Sequence, residues 1–140
     1  MADEKAKQLT QFHEGLRLRL YKCTAGKWSI GYGRNIEDRG IRLDEAKLMF
    51  ENDIKEAEQE LRPFQWFERL NDVRKGVLIE LNFAMGLTKL LKFEKMILAL
   101  DKEDYQKASI ELLDSEWSRK VGMDRSNNLA NRMLRGKYSI

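Results

Sequence analysis

The spacing of apolar residues along this chain changes twice. Leu9, Phe12 and Leu16 recur at helical intervals and predict a first helix over residues 3–14, stopped by Gly15. Arg17-Leu18-Arg19-Leu20 then alternates strictly, as a half-buried strand does. Thr24-Ala25-Gly26-Lys27 supplies turn residues, and Trp28-Ser29-Ile30-Gly31-Tyr32-Gly33 alternates large against small. Residues 17–33 therefore read as a β-hairpin, with a third short strand near Ile41. From Leu43 the helical period returns. Phe50, Ile54, Ala57 and Leu61 share one stripe, with Asp44 and Glu45 at the favourable amino end and Pro63 just past the carboxyl end. Asn71 or Asp72 caps the next helix, which reaches about Gly86. It is apolar on most sides (Val73, Val77, Leu78, Ile79, Leu81, Phe83, Ala84, Met85), as the centre of a helical domain should be. Shorter helices are expected around 93–100, 104–114 and 126–135. The fold class is α+β and mostly helical, a single domain of two lobes. A hairpin lobe spans about 15–42 and a connecting helix about 43–62. A helical lobe spans about 63–140 and includes the helix 3–14, and a ligand cleft is expected between the lobes.

Composition narrows the class without changing that picture. With 140 residues, 42% hydrophobic, 35% charged and one Pro, the chain is neither disordered nor collagen-like. The lone Cys23 can close no internal disulfide, and with a single histidine no metal site is expected. The first residues contain no apolar run of the secretory kind, and nowhere is there a run long enough to span a membrane. Charge is uneven. From Trp117 to Lys137 six bases (Arg119, Lys120, Arg125, Arg132, Arg135, Lys137) face one acid, Asp124. Such a segment favours an anionic partner, or is simply a solvated helical face.

The hairpin carries the candidate chemistry. Period two puts Trp28, Ile30 and Tyr32 on one face and Ser29, Gly31 and Gly33 on the other, which is nearly empty of side chains. Alternate glycines suit the close approach of a ligand, or tight packing against a helix. Glu14 sits where helix meets hairpin, at the negative end of the helix dipole. That position, with partial burial, would favour a protonated carboxylic acid.

The run from Glu14 through Cys23 and Ser29 to Ile30-Gly31-Tyr32-Gly33 closely resembles the active-site stretch of the phage-type lysozymes, the glycoside hydrolase family of the T-even phage enzymes. That family places a Glu, then an Asp or Cys, then a Thr, then Ile-Gly-x-Gly. Weaker likeness continues through Ile41–Phe50, through Asn71–Gly86, and through Trp117 and the Arg125, Arg132, Arg135 spacing. The resemblance implies an enzyme that cleaves the β-1,4 bond between N-acetylmuramic acid and N-acetylglucosamine in bacterial peptidoglycan. In it Glu14 would be the general acid. Cys23 and Ser29 would prepare a water, with a polar, water-orienting role and direct attack on the sugar both open for the thiol. Lys22 and Arg34 are the groups that could lower the thiol pKa. Arg125 would pair with the catalytic Glu, and Arg34, where the family often has His, would add positive charge beside it. Phe83 and Asn35 would line the sugar cleft.

The resemblance further implies no cofactor, a monomer, peptidoglycan as partner, and neither nucleic acid binding nor stable membrane insertion. A phage or prophage endolysin would be made in the host cytoplasm and reach the wall after a separate pore protein opens the membrane. The competing readings are a lytic transglycosylase, which forms 1,6-anhydro ends, and a non-catalytic binder of wall glycan or nucleic acid.

Overall fold

The computed structural model describes residues 1–138. They form two compact units, 1–48 and 49–138, and the boundary falls inside a long helix. The leading helix falls in the first unit. The end of the expected helical lobe, residues 139 and 140, lies outside the described residues.

The first unit opens with α1 (Glu4–Glu14), capped by Asp3, whose Oδ1 accepts the Ala6 N–H at 2.8 Å. Gly15 ends it at φ +74°, and its own N–H bonds Gln11 O. No residue of α1 is buried, and Phe12 is 81% exposed, so the apolar spacing forecast the helix but not a packed stripe. A three-stranded antiparallel sheet of order β1-β2-β3 follows, from β1 (Arg17–Lys22), β2 (Trp28–Gly31) and β3 (Arg34–Asn35). The loop from β1 to β2 is a turn in which Cys23 O accepts the Gly26 N–H and Cys23 N–H bonds Lys27 O. Gly26, at φ +75°, takes the left-handed position such loops demand.

Two strand expectations are corrected. Arg17 pairs with Gly31 but Tyr21 pairs with Ser29, so β1 bulges between them and its alternation in sequence is not an alternation in space. Leu18 and Leu20 are exposed rather than half-buried. The third strand is Arg34–Asn35, and Ile41 lies outside any element. Two glycines, Gly31 at φ +72° and Gly33 at φ +80°, turn the chain back early enough for residues 34–35 to pair with β2. The one-turn helix α2 (Ile36–Arg39) then runs from an Asn35 cap, and α3 (Leu43–Leu61) starts where the Arg42 N–H bonds Glu45 Oε1 at 2.8 Å.

The second unit holds the apolar core. Beyond α3 it comprises α4 (Gln65–Glu68), α5 (Asp72–Met85), α6 (Leu87–Leu90), α7 (Glu94–Asp101), α8 (Tyr105–Leu113), α9 (Glu116–Val121) and α10 (Met123–Arg135). The one-turn helices α4 and α6, and the short α9, are too short to show a period, and the pattern did not reveal them. Val77, Leu78 and Leu81 of α5 are fully buried among Leu61, Phe67, Leu90, Met96, Leu100, Leu112, Leu129 and Met133, which makes α5 the central helix its composition announced. Asn82 ties α5 to α3, donating from Nδ2 to Ala57 O (2.9 Å) and Glu60 Oε1 (3.1 Å). At the other end of α5, Asn71 Nδ2 donates to Gly136 O, and Arg74 donates to Met133 O and Leu134 O. These bonds satisfy the last carbonyls of α10.

Candidate active site

Glu14 is the last residue of α1, and its carboxylate lies over Gly33. A Cβ on Gly33 would stand 2.7 Å from Glu14 Oε2, at a φ that side chains avoid. The emptiness of the 29–33 face therefore has two causes. At Gly33 both the carboxylate and the backbone demand it. At Gly31 only the backbone does, since nothing lies within 4 Å of its missing Cβ. The partial burial expected of Glu14 is not found. The residue is exposed, and among the described residues it has no hydrogen-bond or ion-pair partner.

Cys23, half-buried, follows β1 at the start of the hairpin turn. Its thiol is held below the ordinary value first by the backbone N–H of Lys27, then by that of Ala25. Desolvation opposes them and the Ser29 hydroxyl adds to them. Amides of the turn thus do what the sequence assigned to Lys22 and Arg34. Lys22 instead lies over the Trp28 ring at 5.1 Å. Arg34 forms a two-pronged ion pair with Glu45 of α3. That guanidinium, helped by the Arg42 N–H, holds the Glu45 carboxyl down at about 2.

Ser29 is the one buried residue among those described in the first unit. Its hydroxyl donates to Lys27 O at 3.2 Å, so its single proton is shared between that carbonyl and the sulfur. Asn35, expected to line a sugar cleft, instead serves α2. Its Oδ1 accepts the Asp38 N–H at 3.1 Å and its Nδ2 donates to Asp38 Oδ2 at 2.9 Å. The unit accordingly brings together Glu14 with Gly33, and Cys23 with Ser29, while Arg34 and Asn35 are engaged elsewhere.

In the second unit, Phe83 is exposed and meets the ring of Phe50 edge-on, centroids 5.6 Å apart. The sequence pattern puts Phe50 on one stripe with Ile54, Ala57 and Leu61. Along that stripe Ala57 and Leu61 are buried and Ile54 half-buried, but Phe50 is exposed, so an aromatic pair stands on the surface. Arg125, expected to pair with Glu14, has a different partner. Its Nε bonds Glu80 Oε2 at 3.0 Å, and Arg132 reaches the same carboxylate at 3.4 Å. The basic segment 117–137 is likewise less charged than its sequence suggests. Arg119 pairs with Asp114 and Lys120 with Glu116, acids that lie outside the window in which charge was counted.

Comparison with known proteins decides the family. The family model described as phage lysozyme matches residues 11–135. The chain belongs to the phage lysozyme family. An endolysin of Acyrthosiphon pisum secondary endosymbiont phage 1 is 32% identical, over 83% of this chain and 79% of its own. A probable T4-type lysozyme of Dictyostelium discoideum is 23% identical, over 88% of this chain and 89% of its own. The pre-baseplate central spike protein Gp5 of Enterobacteria phage T4 is 26% identical over 74% of this chain, which spans only 23% of that longer protein.

As a phage lysozyme family member, the protein is a glycosidase that acts on peptidoglycan. Two features of the candidate site had little signal in sequence. The Ala25 and Lys27 amides carry no side-chain signature, and the Phe50–Phe83 pair joins residues of two helices. The glycine at position 26, which bends the turn, was the only local clue to the amide cradle.

Proposed function

We propose that this lysozyme hydrolyses the β-1,4 bond between N-acetylmuramic acid and N-acetylglucosamine, with Glu14 as general acid. Glu14 gives its proton to the bridging oxygen as the bond to the anomeric carbon breaks, and the departing sugar leaves as an alcohol. Water adds to that carbon, and its proton returns to the medium. Cys23, whose thiol two turn amides and the Ser29 hydroxyl hold below its ordinary pKa, orients that water as a hydrogen-bonding group. The exposed Phe50–Phe83 pair offers an apolar platform for a sugar ring.

The observation that carries this reading is the Glu14 carboxylate held over Gly33, where α1 meets the hairpin. Glu14→Gln should lower turnover of purified peptidoglycan by about 10²–10⁴-fold while leaving the thermal melt unchanged. Retained activity would exclude Glu14 as the acid. Mass spectrometry of the products separates hydrolysis, which leaves reducing ends, from transglycosylation, which leaves 1,6-anhydromuramoyl ends.

The biological setting we propose is host lysis as a phage or prophage endolysin that acts on the wall once a separate protein has opened the membrane. The relative named endolysin supports this setting. Among the described residues no helix is long and apolar enough to cross a membrane. Expression in a bacterial cytoplasm should leave cells intact until chloroform permeabilises the membrane, and lysis without it would overturn the setting.

A further inference from the structure

The second unit contains a surface cavity of about 630 Å³ between the end of α5, α6, the start of α7, the end of α8 and α9, a volume that suits a small ligand. Its floor is apolar. Met96 is buried, and Met85, Phe93 and Trp117 are half-buried and continuous with the core. Methionine and aromatic side chains adapt to an apolar guest without imposing a shape on it. The hydroxyl among the lining residues, that of Ser115, has its proton committed. It donates to Leu112 O at 2.7 Å and accepts the Ser118 N–H at 3.0 Å, so it has no proton left to donate to a sugar. The rim is different. Lys89, Lys92 and Lys95 recur every third residue around it, and among the described residues none of them forms an ion pair. Glu94 and Glu111 also line the cavity, so the unpaired rim charge is net positive by one.

We propose that this cavity binds a single alkyl chain ending in an anion, with the chain on the Met85–Phe93–Met96–Trp117 floor and the head among the three lysines. The same chemistry is presented by a free fatty acid and by a single-chain phospholipid. The cavity is built from residues of the second unit, and the proposal does not depend on the roles proposed for Glu14 and Cys23.

Titration of the full chain with decanoate, decyl phosphate, uncharged decyl maltoside and acetate tests it, all below micelle-forming concentrations. Tryptophan fluorescence and calorimetry provide the readouts. Decanoate or decyl phosphate should bind with one-to-one stoichiometry and shift the emission to the blue. Octanoate should bind on the order of tenfold more weakly than decanoate, the loss expected for two methylenes. The tighter of the two ten-carbon anions identifies the head group. Lys89→Gln/Lys92→Gln/Lys95→Gln changes only exposed side chains and should weaken decanoate several-fold, leave decyl maltoside unchanged, and leave hydrolysis of purified peptidoglycan unchanged. Trp117→Phe should remove the blue shift while calorimetric binding persists. The proposal is overturned if decanoate and decyl phosphate fail to bind, if acetate binds as well as decanoate, or if the triple variant binds decanoate unchanged. A blue shift that survives in Trp117→Phe, or binding of several equivalents per chain, would overturn it equally.

Discussion

Leu78, Leu81, Leu112 and Leu129 in the second unit are fully buried, whereas Leu16, Leu18 and Leu20 in the first are each more than half exposed. The same residue type does different work in the two. In residues 49–138, apolar side chains from most of the helices close on α5, and burial supplies the driving force. In residues 1–48 no apolar side chain is buried. What orders that unit is a helix cap at Asp3, the ladder of a small sheet, and side-chain bonds such as Arg34 to Glu45, Asn35 to Asp38, and Glu37 to the Trp28 N–H. Exposed ion pairs contribute little each, so the first unit is the less stably held of the two. The candidate catalytic pair Glu14 and Cys23 lies on it, on loops and element ends shaped by glycine, while the second unit supplies a rigid packed body.

The contrast can be broken or sharpened by substitution. Leu81→Ala should cost about 2–5 kcal/mol of global stability, read from denaturant unfolding followed by circular dichroism, because it opens a cavity at the centre of the core. A cost below about 1 kcal/mol would mean that the second unit is not held by its core in the way described.

Gly33→Ala should cost on the order of 1–2 kcal/mol through its positive φ alone. It should also push the Glu14 carboxylate aside, lowering activity more than stability. Hydrogen exchange over residues 15–40 and turnover of peptidoglycan measure the two effects. Unchanged turnover would separate Gly33 from the positioning of Glu14.

Acid should loosen the first unit before the second. The folded pKa of Glu45, about 2, lies below its ordinary value of 4.5, so its contribution to stability is complete above that value. Between pH 4.5 and about 2 the unfolded chain binds the extra proton, and the contribution is lost as pH falls through this window. Hydrogen exchange over residues 34–48 should accelerate in this range in the native protein. In Glu45→Gln that acid sensitivity should be absent, and a variant as acid-sensitive as the native chain would assign the effect to another group.

Leu18→Ala should be nearly silent, within about 0.5 kcal/mol, since an exposed leucine on a bulged strand loses little. The same chemical change as Leu81→Ala would then differ several-fold in cost between the two units.

Local signals were legible where the cause is local. Asp3, Gly15, Asn71 and the apolar run of α5 set helix bounds through capping, backbone conformation and periodicity. The structure follows them to within a residue or two. Glu14, Cys23 and Ser29 stood out as candidates because a short contiguous motif carries them. What failed to show was pairing across distance in the chain. A bulge between Arg17 and Tyr21 turned an alternating strand outward. Glu80 claimed Arg125 and Arg132 from 45 and 52 residues away. Asp114, Glu116 and Glu80 neutralised bases that a sequence window had counted as free.

The chain by itself therefore determined the mostly helical α+β class, the central place of α5 and the family of the motif, since periodicity, caps and contiguous residues act over a few positions. Tertiary structure alone decided which leucines are buried, which carboxylate each arginine meets, and that backbone amides rather than Lys22 or Arg34 act on the Cys23 sulfur. Burial and charge pairing depend on which segments meet in space, and no spacing along the sequence encodes that directly.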